Sequence, residues 1–237
     1  MVTKPQRVLL KLSGEALAEE GQFGVNQTVL ATIAKDIVAA AKAGLEVAIV
    51  VGGGNFIRGA QSATKILSRL TADHMGMMAT VLNGLALRDA IEHAGYPAVV
   101  MSALSIAGIV ESYNARQAMA QLSADKVVIL VAGTGNPFVT TDSAASLRAI
   151  EIQADIVLKA TKVDGIYDAD PRKSKDARLY RHLSFNEALQ KELAVMDLAA
   201  FCQCRDYNMP VRVFNLFKPG ALYAALMGAE EGTLVTQ

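Results

Sequence analysis

The chain has 237 residues, enough for one large α/β domain or two small lobes. Its 23 lysines and arginines balance 23 aspartates and glutamates, which argues against a nucleic-acid footprint or a polybasic membrane anchor. Hydrophobic residues make up 52% and charged residues only 19%, yet no apolar run is long enough to span a bilayer and no charged-then-apolar leader opens at Met1. The apolar excess is therefore expected between subunits and not in lipid. Cys202 and Cys204 fall in one predicted helix, where they pair poorly, and this fits a reduced, cytoplasmic compartment. Histidines at 74, 93 and 182 form no zinc pattern.

In chain order, residues 8–12 read as a short apolar strand ending in Lys11-Leu12-Ser13-Gly14-Glu15. Residues 29–43 carry a helical pattern closed by Gly44. A buried strand over 47–51 ends in Gly52-Gly53-Gly54-Asn55. A long helix over about 71–94, a strand at 98–101 and a helix at about 114–122 follow. Residues 127–131 are continuously apolar, as in a parallel strand buried on both faces, and break into Gly133-Thr134-Gly135-Asn136-Pro137. The spacing then predicts a helix at 143–153, a strand at 156–160, helices at 184–193 and 197–207, and a strand at 211–215. Pro219 opens a final helix and 233–235 reads as an edge strand. There is no internal repeat, low-complexity segment or linker. Strands alternating with helices predict a single three-layer α/β/α domain over 1–237 with a mostly parallel central sheet.

Three glycine turns, at Gly14, Gly52–Gly54 and Gly133–Gly135, fall at predicted strand ends. Ligands on such sheets bind at the carboxyl ends of the strands, and glycines there expose backbone amides to anions. A single such turn could equally be an ordinary connection; three at one edge point to a polyanion site. Neither GxxxxGKS nor GxxxxGKT occurs, and no GxGxxG follows the first strand, which disfavours P-loop and dinucleotide enzymes. Lys11 lies just before a glycine, where its ammonium either bridges phosphates or remains a solvated lysine. Phosphoryl transfer needs alignment and charge neutralisation. An acceptor that is itself a phosphate is largely dianionic near neutral pH, since its second pKa is about 6, and needs no general base.

Several blocks carry a resemblance that covers nearly the whole chain. They are Lys11-Leu12-Ser13-Gly14-Glu15-Ala16-Leu17, Gly52-Gly53-Gly54-Asn55 with Arg58-Gly59, Asp73-His74-Met75-Gly76-Met77, residues 132–142, residues 158–165, residues 195–200 and Arg212-Val213-Phe214-Asn215. In this order they resemble the bacterial uridylate kinases of the amino acid kinase family. The resemblance implies phosphoryl transfer from ATP to UMP with Mg2+, in pyrimidine nucleotide synthesis. It implies an N-terminal part that mainly binds UMP and a C-terminal part, from about residue 155, that mainly binds ATP.

By matching motif, the resemblance makes Lys11, Asp142 and Lys162 catalytic, Asp142 orienting the lysine. Lys11, Leu12, Ser13 and Gly14 would form the ATP phosphate loop, Gly54 and Arg58 would contact the ATP side, and Thr161, Tyr167 and Asp170 would hold adenine and ribose. Lys162 is favoured over Lys159 as the further phosphate contact, with Lys159 left open. Gly53, Thr134, Gly135, Asn136, Pro137, Phe138, Val139, Thr140 and Thr141 would contact UMP, and Asp73 its ribose hydroxyls. Without the motif, Asp73 reads equally well as a helix N-terminal acid, and Tyr167 as a packing ring. The segment Glu19, Glu20, Gly21, Gln22, Phe23 and Gly24 matches the surroundings of an allosteric site. Relatives are homohexamers, many activated by GTP and inhibited by UTP. This chain departs from some of them at Val99 and Lys126, where they carry arginines, which puts GTP activation in doubt. The stripe Met75, Met77, Met78, Leu82, Leu85 and Leu87 reads as core or subunit interface. The rival readings are a non-catalytic nucleotide or oxoanion storage protein on the same fold, and an amino acid or carbamate kinase.

Overall fold

The computed structural model describes residues 5–19, 21–57, 67–169, 171, 173–174, 176–193 and 196–237. Nine strands among them form one sheet: β1 (Arg7–Leu12), β2 (Glu46–Val51), β3 (Ala98–Ser102), β4 (Glu111–Ser112), β5 (Val127–Val131), β6 (Ile156–Thr161), β7 (His182–Ser184), β8 (Val211–Asn215) and β9 (Thr233–Thr236). Their order is β4-β3-β5-β2-β1-β6-β8-β9-β7, parallel throughout except where β9 runs against β8. Helices α1 (Gln27–Lys42), α2 (Arg69–His93) and α7 (Ala221–Leu226) cover one face. The other face is covered by α3 (Ala115–Ser123), α4 (Thr141–Glu151), α5 (Phe185–Gln190) and α6 (Leu198–Asp206).

Strand alternation sorts side chains between the two cores. Val8, Leu10 and Leu12 of β1 pack under α1 and α2, whereas Leu9 packs toward α4 and α6. Lys11 shares the face of Leu9, and Lys159 that of Val157. The register places Lys11 directly beside Lys159 on the neighbouring parallel strand. The order reverses at β1, which has β2 on one side and β6 on the other. A parallel sheet opens its ligand crevice at such a point.

Two of the glycine turns press against each other. A methyl group on Gly14 would lie 2.4 Å from Asn55 Oδ1 and 2.6 Å from Gly54 N, so only glycine fits there. Asn55 and the fully buried Asn83 of α2 donate to each other's amide oxygens at 2.9 and 2.7 Å. Asn83 also donates to Gly52 O and Asn55 to Gly24 O, both at 2.7 Å. This pair ties the turn after β2 to α2 and to the segment before α1.

The structure departs from the sequence expectations mainly near the C-terminus. β9 is not an edge strand; it lies between β8 and β7, and the three-residue β7, too short to show alternation, takes the edge. The last helix starts at Ala221, not at Pro219, because Gly220 adopts a left-handed φ of 75° at its N-cap. The two-residue β4 and the 3-10 turn Gly14–Leu17 also carry no sequence pattern. The apolar stripe of α2 divides: Met77 and Leu87 are buried, while Met75, Met78 and Leu82 are exposed. Cys202 and Cys204 are both free.

Asn83→Ala removes two donated bonds and strands Asn55 in the interior. A buried polar group left unsatisfied costs about 1–3 kcal/mol, so a loss of about 2 kcal/mol and roughly 4–8 °C in Tm is expected at this chain length. Thermal unfolding followed by circular dichroism measures it.

Candidate active site

Three charged side chains meet where β1, β6 and α4 converge. Asp142, in the first turn of α4, lies with Oδ1 2.8 Å from Lys11 Nζ and Oδ2 2.5 Å from Lys159 Nζ. All three side chains are largely buried. Each lysine thus has its own carboxylate oxygen, and Lys159 donates a hydrogen bond to Oδ2. Burial by itself would raise the Asp142 carboxyl, but the two ammonium groups outweigh it and hold the pKa below its ordinary 3.8. The Lys159 pKa is lowered, by burial first and by repulsion from Lys11, against the opposing pull of Asp142.

The carboxylate is placed by the start of its helix. Thr140 is the N-cap, its Oγ1 accepting from the amides of Asp142 at 3.1 Å and Ser143 at 3.2 Å. The Thr140 hydroxyl in turn donates to Asp197, which also accepts from Ser143 Oγ at 2.9 Å and caps α6 through Ala200 N. Behind this cluster the Cys204 thiol is pushed up to about 12, by burial first and then by the Asp142 and Asp197 charges, so it stays an inert thiol.

Beside the triad lies an open cavity of about 150 Å³. Its walls come from Gly53, from Asp73, Gly76, Met77 and Thr80 of α2, from Ile57, and from Gly133, Thr134, Asn136 and Val139–Thr141. A methyl on Gly53 would lie 2.6 Å from Gly76 O, so α2 approaches the second glycine turn closely. Asp73 accepts from Arg69 Nε at 2.8 Å and from the Phe138 amide at 2.9 Å. Its pKa is lowered because these bonds and the Arg69 charge outweigh the effect of burial. The loop between β5 and α4 holds left-handed φ at Ala132 (60°), Gly133 (59°), Gly135 (80°) and Phe138 (64°). Non-glycine residues rarely take that conformation, and such departures collect at functional sites. Thr80 Oγ1 fixes the first of them, accepting from Ala132 N at 2.7 Å.

The structure thus brings Gly53, Asp73, Thr134, Asn136, Val139, Thr140 and Thr141 to one cavity, with Phe138 joined through its amide to Asp73. Gly135 closes the turn by donating to Ala132 O at 2.9 Å, and Pro137 lies in the same loop. Leu12 is buried core at the end of β1, followed by Ser13 and Gly14, which contact the Gly52–Gly54 turn. Of the two lysines in the 158–165 block, Lys159 reaches Asp142. Lys162, favoured from sequence, lies past the end of β6, half-exposed and 3.9 Å from Glu15. The reason is the pleat: position 159 faces α4, and position 162 follows the last strand residue.

Thr161 Oγ1 donates to Val163 O at 2.7 Å, and the Tyr167 hydroxyl lies 3.5 Å from Asp164, half-exposed at the rim. Glu19 accepts from Asn26 and Gln22, Gly21 and Gly24 are left-handed turn residues, and Phe23 packs edge-on against Phe56. Arg58, Glu20 and Asp170 lie outside the described residues. Sequence reasoning gave no role to Asp197, Thr80, Asn83 or Arg148. Asp197 had a signal, an acid just before a helical pattern; the others are helix-interior positions whose partners are distant in sequence.

Paired lysines, a shared carboxylate and glycine turns at the switch point of a parallel sheet define a phosphotransferase of the α/β class. The chain matches the amino acid kinase family over residues 6–215 and belongs to it. It is 57% identical to the uridylate kinase of Coxiella burnetii, covering 98% of this chain and 96% of that protein. Identity to the uridylate kinase of Aeromonas salmonicida is 56%, over 99% and 98%. The crystal structure of UMP kinase from Bacillus anthracis superposes with a TM-score of 0.95 at 37% identity, covering 98% of this chain and 96% of that one.

Because the folded Asp142 carboxyl titrates below 3.8, its pairing stabilises the fold fully above that value. The contribution is lost as pH falls through the lower folded pKa. Asp142→Asn leaves two buried ammonium groups uncompensated, so it is expected to destabilise the protein at pH 7 by a few kcal/mol, roughly 3–5 as for a broken buried pair. The difference from wild type should narrow as the pH drops below 3.8. Urea denaturation of both proteins across pH 2.5–7, as a rough working range, measures it.

Proposed function

We propose that the chain transfers the γ-phosphoryl group of ATP to UMP, giving ADP and UDP, with Lys11 and Lys159 as the cationic pair at the transfer point. The observation that carries this reading is the Lys11–Asp142–Lys159 cluster opening beside a cavity that presents the Asp73 carboxylate. Its kinship with uridylate kinases at 54–57% identity over nearly the whole chain favours UMP as acceptor over an amino acid, carbamate or a stored oxoanion.

Each part has a chemical task. Asp73, with two acceptor oxygens and no donor, suits the vicinal hydroxyls of the UMP ribose. Asp142 holds Lys159 at 2.5 Å and Lys11 at 2.8 Å, and phosphate oxygens arriving at the strand ends would offer Lys11 a replacement for its carboxylate partner. Lys11 then neutralises charge on the moving phosphoryl group, with the amides of the glycine turns. The acceptor phosphate is already largely dianionic near neutral pH, its second pKa being about 6, so no general base is required.

The donor nucleotide enters from the C-terminal part, past Thr161 and Tyr167, with Lys162 and Ser13–Gly14 at its phosphates. The UMP side is built from the N-terminal part and the 132–142 loop. Among the described residues no group of three His, Cys, Asp or Glu could hold a metal ion, and Asp142 is engaged by two lysines. Mg2+ would arrive on ATP, as part of the substrate. The reading includes a cytoplasmic homohexamer, supported by exposed Met75, Met78 and Leu82 on α2 and by two free cysteines. GTP activation is expected to be weak, since Val99 and Lys126 offer no arginine. UTP would inhibit by occupying the UMP cavity.

Incubating the purified protein with ATP, Mg2+ and each of UMP, CMP, glutamate and acetylglutamate tests the class; ADP release should be largest with UMP. Lys11→Ala should lower the single-turnover rate about 100- to 1,000-fold, the scale of losing one electrostatic stabiliser, with UMP affinity little changed. Loss of UMP affinity at an unchanged rate would make Lys11 a binding residue. Asp73→Asn should weaken UMP binding roughly tenfold to a hundredfold, as for a charge-assisted hydrogen bond of about 1.5–3 kcal/mol, and leave ATP binding intact. Calorimetric titration of both nucleotides measures this.

A further inference from the structure

Arg148 of α4 is buried, yet it lines no wall of the cavity. Its guanidinium donates to Glu151 Oε2 at 2.7 Å and to the Gly133 carbonyl at 3.3 Å, and stacks on the Tyr113 ring at 3.9 Å. The Tyr113 hydroxyl donates to the same Glu151 oxygen at 2.7 Å. Burial first, and then the bond to Glu151 and its charge, push the Tyr113 hydroxyl pKa well above 10, so it remains a donor. Tyr113 is itself pinned to the sheet, its amide donating to Ser102 O at 2.8 Å. A charged group is costly to bury unless it is paired. Here the pairing is complete on one side, and the free edge of the fork is spent on one backbone carbonyl.

That carbonyl belongs to the peptide between Gly133 and Thr134, both of which line the cavity. The preceding residue is already locked: Ala132 N donates to Thr80, and Ala132 O accepts from Gly135 N. Gly133, with φ of 59° and no Cβ, is the hinge about which the next peptide could turn over. In a trans peptide the carbonyl and the N–H point in opposite directions. With Gly133 O drawn toward Arg148, the Thr134 N–H points away from that guanidinium.

We infer that Arg148 is a positioning residue. It holds the Gly133–Thr134 peptide so that a donor, and not a carbonyl, faces the cavity, and this N–H meets an oxygen of the bound UMP. The assignment rests on UMP as the acceptor. A reversed peptide would set a carbonyl against an oxygen-rich anion, so Arg148 governs acceptor affinity from a distance without touching the nucleotide.

Full-length protein labelled with 15N and titrated with UMP tests the first half: the Thr134 amide should shift strongly on saturation. Steady-state kinetics of Arg148→Met test the second. The KM for UMP should rise about tenfold, the scale of one lost hydrogen bond, with kcat at saturating UMP and the KM for ATP nearly unchanged. Arg148→Lys, which can still donate to Gly133 O but cannot stack as a planar fork, should recover part of the loss. A Thr134 amide that does not move on UMP binding overturns the inference, even if Arg148→Met fails to fold. Parallel rises in both KM values overturn it too, since they mark general loosening. Failure of the wild type to turn over UMP would instead overturn the proposed function, and this inference with it.

Discussion

Two lysines side by side on neighbouring parallel strands, whose backbones lie about 4.8 Å apart, would set two ammonium groups to repel each other in a buried site. Asp142 makes their proximity possible, and much of the molecule is arranged to deliver it. Lys11 and Lys159 share one register position and one face of the sheet, the face covered by α4. The carboxylate stands in the first turn of α4, where the helix dipole favours negative charge, and Thr140 with Asp197 fixes where that turn begins. Both lysines lean on the one carboxylate, Lys159 at 2.5 Å and Lys11 at 2.8 Å.

Fixing the start of α4 also fixes the loop that leads into it. Left-handed φ at Ala132 and Phe138 is unfavourable locally, and side chains from separate elements hold the loop in place. Thr80 and Asp73 come from α2, Arg148 from α4, and Asp197 from the cap of α6. The cavity is therefore bounded by backbone that packing has already ordered. Toward Thr161 and Tyr167 the side chains are partly exposed, Thr161 bonded to Val163 O at 2.7 Å and Phe214 O at 3.1 Å, and Tyr167 to Asp164 at 3.5 Å.

Most of this architecture was legible in the amino-acid sequence. Continuous apolar runs marked β1, β2, β5 and β6, because strands buried on both faces leave no place for polar residues. Glycine clusters marked the strand ends, because the turns there admit no Cβ: Gly14 shows it directly, with Asn55 and Gly54 closing around it. Short elements escaped notice. β4 and β7 owe their conformation to neighbouring strands and not to their own two or three residues.

The separate surroundings of Lys159 and Lys162 were hidden for a different reason. They depend on where β6 ends, and strand ends are set by pairing with β8, through Thr161 opposite Asn215. Long-range partners hid the rest. Arg148 reaches Gly133 across a helix, and Asn83 reaches Asn55 across 28 positions. Such contacts leave no local pattern.

The most direct test of the central claim is a crystal structure of the chain with UMP and a non-hydrolysable ATP analogue. Lys11 should be found turned from Asp142 onto the phosphates, with Lys159 still bonded to Asp142 and the UMP ribose on Asp73. Phosphates bound away from the ends of β1 and β6, with Lys11 unmoved on Asp142, would contradict it.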